Sequence, residues 1–180
     1  MNQPASAYFM EERHDPTEAH TLSVLVQNEP GVLARVIGLF SGRGYNIDSL
    51  TVSETEHEKH LSRFTIVTTG TSMVLAQIKS QLERLVNVHR VVDLTVAGEP
   101  LERELALIKV AGKGEKRIEA LRLAEIFRAS VIDASTEHFV FEITGRSSKI
   151  EQFISIMTEL GLTEVSRTGI AAIGRGAKGM

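Results

Sequence analysis

The residues of this chain best suited to chemistry are a run of six, Asn28-Glu29-Pro30-Gly31-Val32-Leu33, and a second group one helix length further on, Gly44-Tyr45-Asn46-Ile47. Leu22, Val24 and Val26 lead into the first run with the alternation of a half-buried strand. Leu33, Val36, Ile37 and Phe40 leave it at the i, i+3, i+4, i+7 spacing of one helix face. A strand that passes straight into a helix leaves the first N–H groups without partners, and the helix dipole turns them toward a small anion. Pro30 suits a first helical turn, where its missing N–H would be unpaired anyway, and Asn28 is a good cap or turn residue. Gly31 is not explained in this way. Glycine in a first turn costs roughly 1 kcal/mol against alanine, which points to something that approaches the backbone closely.

The chemistry implied is recognition. N–H groups near Gly31, Val32 and Leu33 would hold a carboxylate, with the dipole contributing some 0.3–1 kcal/mol. Asn28 and Asn46 offer amide oxygens to an ammonium group and amide nitrogens to the carboxylate, and Leu33 and Ile47 form a small apolar wall. Such a set reads an amino acid. Each member also has a plainer alternative: turn chemistry after Gly44 for Asn46, and core packing for Ile47 and Leu33.

The elements that position these residues follow from periodicity. The helix after Gly31 should stop at Gly42-Arg43-Gly44, and a second strand follows around Ile47 to Glu54. The charged stretch from Glu54 to His60 reads as a hairpin loop into a third strand, with Phe64 and Ile66 on one face and Arg63 and Thr65 on the other. Leu75, Ile78, Leu82 and Leu85 mark a second helix, and Val92, Leu94 and Val96 a fourth strand. The order is βαββαβ. It begins again after Gly98-Glu99-Pro100, at an offset of about 80 residues. Here the spacing predicts a strand over 105–111, a helix carrying Ala120, Leu123, Ala124 and Phe127, and strands near Val131 and at Phe139, Phe141 and Ile143. A last helix carries Ile150, Phe153, Ile154 and Met157, and a last strand covers about 163–173. The chain therefore reads as α+β, two ferredoxin-like domains in tandem. The boundaries are a flexible extension at 1–19, a domain at 20–97, a linker at 98–104, a second domain at 105–173 and a flexible tail at 174–180. Each sheet keeps one face or edge strand free for a partner, and homodimerisation is the expected solution.

Composition agrees with a binding module. Of 180 residues, 42% are hydrophobic and 24% charged, a globular balance. The net charge of −3 gives no electrostatic case for nucleic acid or an anionic membrane. Absence of cysteine excludes a disulfide framework, a thiolate metal site and a cysteine nucleophile, and the reading is cytoplasmic. No apolar run approaches a membrane span. Gly112-Lys113-Gly114 resembles a dinucleotide fingerprint, but Arg117 replaces its third glycine. His57-Glu58-Lys59-His60 has two residues between its histidines where a metalloprotease has three. His14, His20, His89 and His138 share no pattern with a serine nucleophile or carboxylate, and the third strand has a single phenylalanine, too few for stacking RNA bases. No catalytic residue, cofactor or metal is nominated.

The pattern Asn28-x-x-Gly31-x-Leu33-x-Arg35-Val36, with Phe40-x-x-Arg43-Gly44-Tyr45-Asn46-Ile47-x-x-Leu50-Thr51-Val52, resembles the ACT domain of the small, regulatory subunit of acetolactate synthase (acetohydroxyacid synthase). Leu61-Ser62-Arg63, Glu104 with Leu107-Ile108-Lys109-Val110, and Ile126-Phe127-Arg128 leading to Ile132-Asp133 are similar to that family through both halves, from about Leu22 to Arg175. The residues before Leu22 depart from it. The resemblance implies a non-catalytic subunit that activates a large catalytic partner dependent on thiamine diphosphate, with Mg and FAD also on that partner. It also implies feedback inhibition by valine or another branched-chain amino acid, and ACT domains paired side by side into an eight-stranded sheet. The effector sites would then lie across the dimer interface, where Asn28, Gly31, Val32, Leu33, Asn46 and Ile47 match the family's contacts.

Overall fold

The computed structural model describes residues 16–56 and 60–180. The extension before residue 16 and His57, Glu58 and Lys59 of the hairpin loop lie outside the described residues. The first domain comprises β1 (Glu18–Gln27), α1 (Val32–Gly42), β2 (Ser49–Glu56), β3 (Leu61–Gly70), α2 (Ser72–Glu83) and β4 (Val88–Asp93). The second repeats the order with β5 (Leu101–Ala111), α3 (Glu115–Phe127), β6 (Ser130–Ala134), β7 (His138–Gly145), α4 (Ser147–Leu160) and β8 (Leu162–Arg167), and a short β9 (Ala171–Ile173) follows. Both sheets are antiparallel, ordered β2-β3-β1-β4 and β6-β7-β5-β8, so the two domains share one topology position by position. This is the ferredoxin-like arrangement that the periodicity predicts.

Alternation on the central strands places the cores. On β1, Leu22, Val24 and Val26 are fully buried and meet Val36 and Phe40 of α1, Phe64 and Ile66 of β3, and Ile78 and Leu82 of α2. In the second domain, Ile108 and Val110 of β5 join Phe139, Phe141 and Ile143 of β7 beneath Ile150, Phe153 and Met157 of α4. Phe153 packs at 5.3 Å from Phe127 and 6.0 Å from Phe141, between ring centroids.

The end of α1 is a Schellman motif. Gly44, in the left-handed region at φ +71°, donates its N–H to Ser41, and Tyr45 donates to Phe40 at 3.0 Å. The Tyr45 ring then meets Phe40 edge-on at 6.2 Å, the hydrophobic contact that usually accompanies this cap.

Three elements differ from the periodicity. β4 stops at Asp93, because the Asp93 carboxylate accepts hydrogen bonds from the N–H groups of Thr95 (3.0 Å) and Val96 (3.2 Å) and bends the chain into a turn. Leu94 is buried there, whereas Val96 is exposed and not part of a strand. The segment expected as one strand over 163–173 is broken at 168–170, with Gly169 at φ +83°. β9 then pairs with the first residues of β5, Leu101↔Ile173 and Arg103↔Ala171, so strand structure begins at Leu101, inside the range read as linker.

This break carries the end of the chain over the face of the first sheet opposite its helices. The Ile170 N–H donates to Ser49 Oγ at 2.9 Å, Thr21 Oγ1 donates to Glu102 Oε1 at 2.6 Å, and Ala172 is buried. Residues 174–180, read as a flexible tail, continue over the same face without regular secondary structure. There Ser23 Oγ donates to Met180 Sδ at 3.1 Å.

Candidate functional site

The loop between β1 and α1 is held from three sides. The Asn28 N–H donates to the His60 carbonyl at 2.7 Å, and the Gln27 N–H to the Asn87 carbonyl at 2.8 Å. Asn87 also donates its side-chain amide to the Glu29 carboxylate at 2.8 Å and accepts a hydrogen bond from Arg35 of α1. Arg35 and Asn87 thus fix the loop's shape, and Asn87, 58 residues from Glu29, carries no local signal that could have nominated it.

α1 begins at Val32, with Gly31 as its cap at φ +86° and no side-chain hydrogen bond to the first turn. Pro30 therefore lies before the cap, outside the first turn where the sequence placed it. The left-handed φ explains Gly31 by conformation alone, since only glycine adopts it without cost. A Cβ at Gly31 would meet nothing within 4 Å, so within this chain no close neighbour requires the glycine.

The N–H of Val32 is occupied, donating to the Glu29 carbonyl at 3.3 Å, and the first helical bond runs from Arg35 to Gly31 at 3.0 Å. The N–H groups of Gly31, Leu33 and Ala34 have no acceptor among the described residues. No acidic residue stands in the first turn. The result is an exposed helix N-terminus with unpaired donors and no acidic residue in its first turn, a local geometry for an oxyanion. The Val32 side chain is core, and Leu33 is 40% exposed beside the donors.

The second group lies elsewhere. Asn46 donates from Nδ2 to Asp48 Oδ1 at 2.6 Å, and its carbonyl accepts from Thr68 Oγ1 at 2.7 Å. Asp48 is held in turn by Thr69 Oγ1 at 2.7 Å and by its own N–H to the Val67 carbonyl at 2.8 Å. Ile47 is half-buried against the first core. Asn28, Gly31, Val32 and Leu33 thus sit at the start of α1, and Asn46 and Ile47 beyond its end. Eleven residues of helix separate the groups, about 16 Å at 1.5 Å per residue. One chain does not bring them together.

Strand register describes the same separation. Gln27 and Glu56 both align with Leu61 at one end of the sheet, whereas Ser49 aligns with Val67 toward the other. β2 is an edge strand, paired on one side only. Beside that edge α1 exposes Leu33 and Ile37, and β2 itself exposes Val52.

Other constellations have structural explanations. His138 stands between Ser135 and Asp133, with Ser135 Oγ 2.8 Å from its Nδ1 and Asp133 Oδ2 2.8 Å from its Nε2, a grouping that its spacing in the sequence does not announce. Ser135 Oγ also accepts the N–H groups of Glu137 and His138, which engages its lone pairs in the hairpin turn. The His138 hydrogen bond holds the Asp133 carboxyl below its ordinary range, and the group staples an exposed hairpin. Gly112 stands where a Cβ would meet the Leu160 carbonyl at 3.1 Å, and Arg117 stacks over the Phe139 ring at 3.7 Å, so this glycine-rich turn serves packing. Among the described residues no group of three or more His, Asp or Glu is placed to hold a metal ion, and no helix is long and apolar enough to cross a membrane.

Two βαββαβ domains in tandem place the chain among proteins built on the ACT-like fold. Comparison with known proteins agrees domain by domain. Residues 22–90 match the family described as "AHAS small subunit-like ACT domain", and residues 103–176 match "Small subunit of acetolactate synthase". The chain is 47% identical over 159 residues to a "Probable acetolactate synthase small subunit" of Archaeoglobus fulgidus, covering 88% of this chain and 98% of that protein. It is 45% identical over 158 residues to the "Acetolactate synthase isozyme 3 small subunit" of Escherichia coli, covering 87% and 96%. The crystal structure of the acetolactate synthase small subunit from Thermotoga maritima superimposes with a TM-score of 0.81 at 41% identity, over 89% of this chain and 99% of that one. This chain belongs to the acetolactate synthase small-subunit family.

Proposed function

We propose that this chain activates the thiamine-diphosphate-dependent catalytic subunit of acetolactate synthase and makes it sensitive to feedback inhibition by a branched-chain amino acid, valine first. Thiamine diphosphate, Mg and FAD belong, in this reading, to the catalytic partner. The observation that carries the proposal is the start of α1, where the N–H groups of Gly31, Leu33 and Ala34 have no acceptor among the described residues and no acidic residue stands in the first turn. Such a terminus lacks a carboxylate, and an amino-acid effector supplies one.

Homodimerisation completes the site in this reading. If the free edge of β2 pairs antiparallel with the same strand of a second chain, the two-fold axis exchanges the ends of the sheets. Asn46 and Ile47 of one chain then approach Asn28, Gly31 and Leu33 of the other. The free amide oxygen of Asn46 is available to the effector's ammonium, because only its nitrogen is committed to Asp48. The exposed Leu33, Ile37 and Val52 supply the apolar contact that edge pairing needs. Regulation follows if the effector binds one dimer geometry better than another.

Isothermal titration calorimetry of the full chain with valine, leucine and isoleucine tests the first step, and reconstitution with the catalytic subunit tests the second. The expected result is saturable valine binding and an activity that rises with the small subunit and falls with valine. Absence of binding by all three amino acids at millimolar concentration would overturn the effector reading.

A further inference from the structure

The face of the first sheet opposite its helices carries hydroxyls and a guanidinium: Thr51 and Ser53 on β2, Arg63 and Thr65 on β3. The start of β5 and the strand β9 lie over this face and leave a pocket of about 350 Å³ between the two domains, within the roughly 300–1,000 Å³ range of small-molecule sites. Arg103 and Leu101 enter it from β5, and Ala172 and Ile173 from β9.

Charge is the feature without an explanation inside the chain. Among the described residues no Asp or Glu lines this pocket. Arg63 has no hydrogen bond or ion pair among the described residues, and its Nε is buried without a partner. Among the described residues Arg103 donates only to the Glu102 carbonyl, at 2.7 Å. Thr51 Oγ1, on the adjoining strand, is likewise buried and unpartnered. A buried Nε donor on the half-buried Arg63 and a buried hydroxyl, neither with a partner, are costly unless something supplies an acceptor. Two arginines with no acidic residue beside them among the described lining residues favour an anion as that acceptor, and planar guanidinium groups fit a carboxylate best, through paired hydrogen bonds.

We propose that this pocket binds a small aliphatic carboxylate. The carboxylate lies between Arg63 and Arg103 and accepts from the Thr51 hydroxyl, and the hydrocarbon body lies on Leu101 and Ile173. The preference differs from that of the loop at Gly31. With no carboxylate or side-chain amide in its lining, the pocket has little to receive an ammonium group, so it favours an acid over the corresponding amino acid. Its walls come from both domains, so an occupied pocket tightens the contact between β2 and β9.

The test compares 3-methylbutanoate with valine, its amino-acid counterpart, and with inorganic phosphate, each titrated into the full chain and followed by ¹H–¹⁵N spectra. The expected result is saturable, millimolar binding of 3-methylbutanoate with shifts at Thr51, Thr65 and Ala172. Valine and phosphate should perturb these amides more weakly. Arg63→Gln and Arg103→Gln should each weaken binding at least about tenfold, as expected for a lost charge-assisted pair. Gly31→Asp should leave it unchanged, so failure here is separable from failure of the effector site. If Arg63→Gln does not fold, Arg103→Gln and the near-isosteric Thr51→Val carry the test. The proposal is overturned if no saturable shift appears, if the arginine variants bind equally well, if phosphate binds as tightly as the acid, or if the shifts map to residues 28–33.

Discussion

The two domains share a topology, yet the starts of their first helices differ in one decisive way. α1 begins at Gly31 with no acidic residue in its first turn, whereas α3 begins at Gly114 and places Glu115 there. Both caps are glycines with positive φ, and neither receives a side-chain hydrogen bond. The second domain thus supplies its own negative charge to the helix dipole, and the first turn of α1 supplies none. One fold thus carries a helix start without an acidic first turn in one copy and one with Glu115 in the other, a difference of a few residues within a shared topology. The open sheet faces differ as well. The first is covered by β9 and the residues after it, and the second carries Leu107 and the exposed Lys109–Glu164 ion pair.

The largest expected effect breaks this comparison directly. Gly31→Asp makes α1 resemble α3 by adding a carboxylate at the free donors, and valine affinity should fall at least about a hundredfold, equivalent to about 2.7 kcal/mol. Calorimetry reads this, and activation of the catalytic subunit should persist. Gly31→Ala is the control: it adds the left-handed strain of about 1 kcal/mol but no charge, and no atom lies within 4 Å to be struck, so it should retain most of the affinity. Equal losses in both variants would mean that conformation matters and charge does not.

Next in size is the pair that joins β5 to β8. Arg167 donates from Nε and Nη2 to the two oxygens of Glu104, both at 2.7 Å, and Ser147 donates to the same carboxylate at 2.9 Å. Glu104→Ala should destabilise the chain by about 2–3 kcal/mol in urea unfolding. This is less than for a fully buried pair, because the Arg167 side chain is 34% exposed. The Arg167 hydrogen bonds hold the Glu104 carboxyl below its ordinary range, and Glu104 in turn holds the Arg167 guanidinium above its own. A depressed folded-state value means that the unfolded chain binds the proton more tightly. Stability is therefore full above the ordinary carboxylate value and is lost as pH falls through the depressed one. Glu104→Gln should flatten that acid limb of the stability curve, and an unchanged limb would assign it to other groups.

Smaller effects sharpen the comparison from the other side. Glu115→Gln uncovers the start of α3 and should cost about 0.3–1 kcal/mol of stability without creating a valine site, since a terminus alone lacks the asparagines and apolar wall. A second equivalent of bound valine in the titration would contradict this. Lys109→Gln should change stability by less than about 1 kcal/mol, because its pair with Glu164 is open to solvent.

Most of the fold was legible from the sequence. Leu22, Val24 and Val26, or Ile150, Phe153 and Met157, lie a few residues apart, and their spacing reports the face they bury. The loop at Gly31 was legible for the same reason, although its glycine is explained by a left-handed φ and not by a close neighbour. The strand drawn through Val92, Leu94 and Val96 failed because a single side chain, Asp93, overrides alternation by bonding two N–H groups ahead of it. Asn87 and Ser135 gave no signal, since each acts through contacts that depend on where a turn folds back.

From its own residues the chain determined two βαββαβ units and a helix start without a counter-charge, because periodicity, caps and turns are written within a few residues of one another. Only the tertiary structure decided that Asn87 clamps Glu29 across 58 residues, that Glu104 meets Arg167 across 63, and that β9 covers Arg63. These are contacts between segments remote in sequence. They arise when strands, loops and the chain end fold back on one another, and no local spacing encodes them.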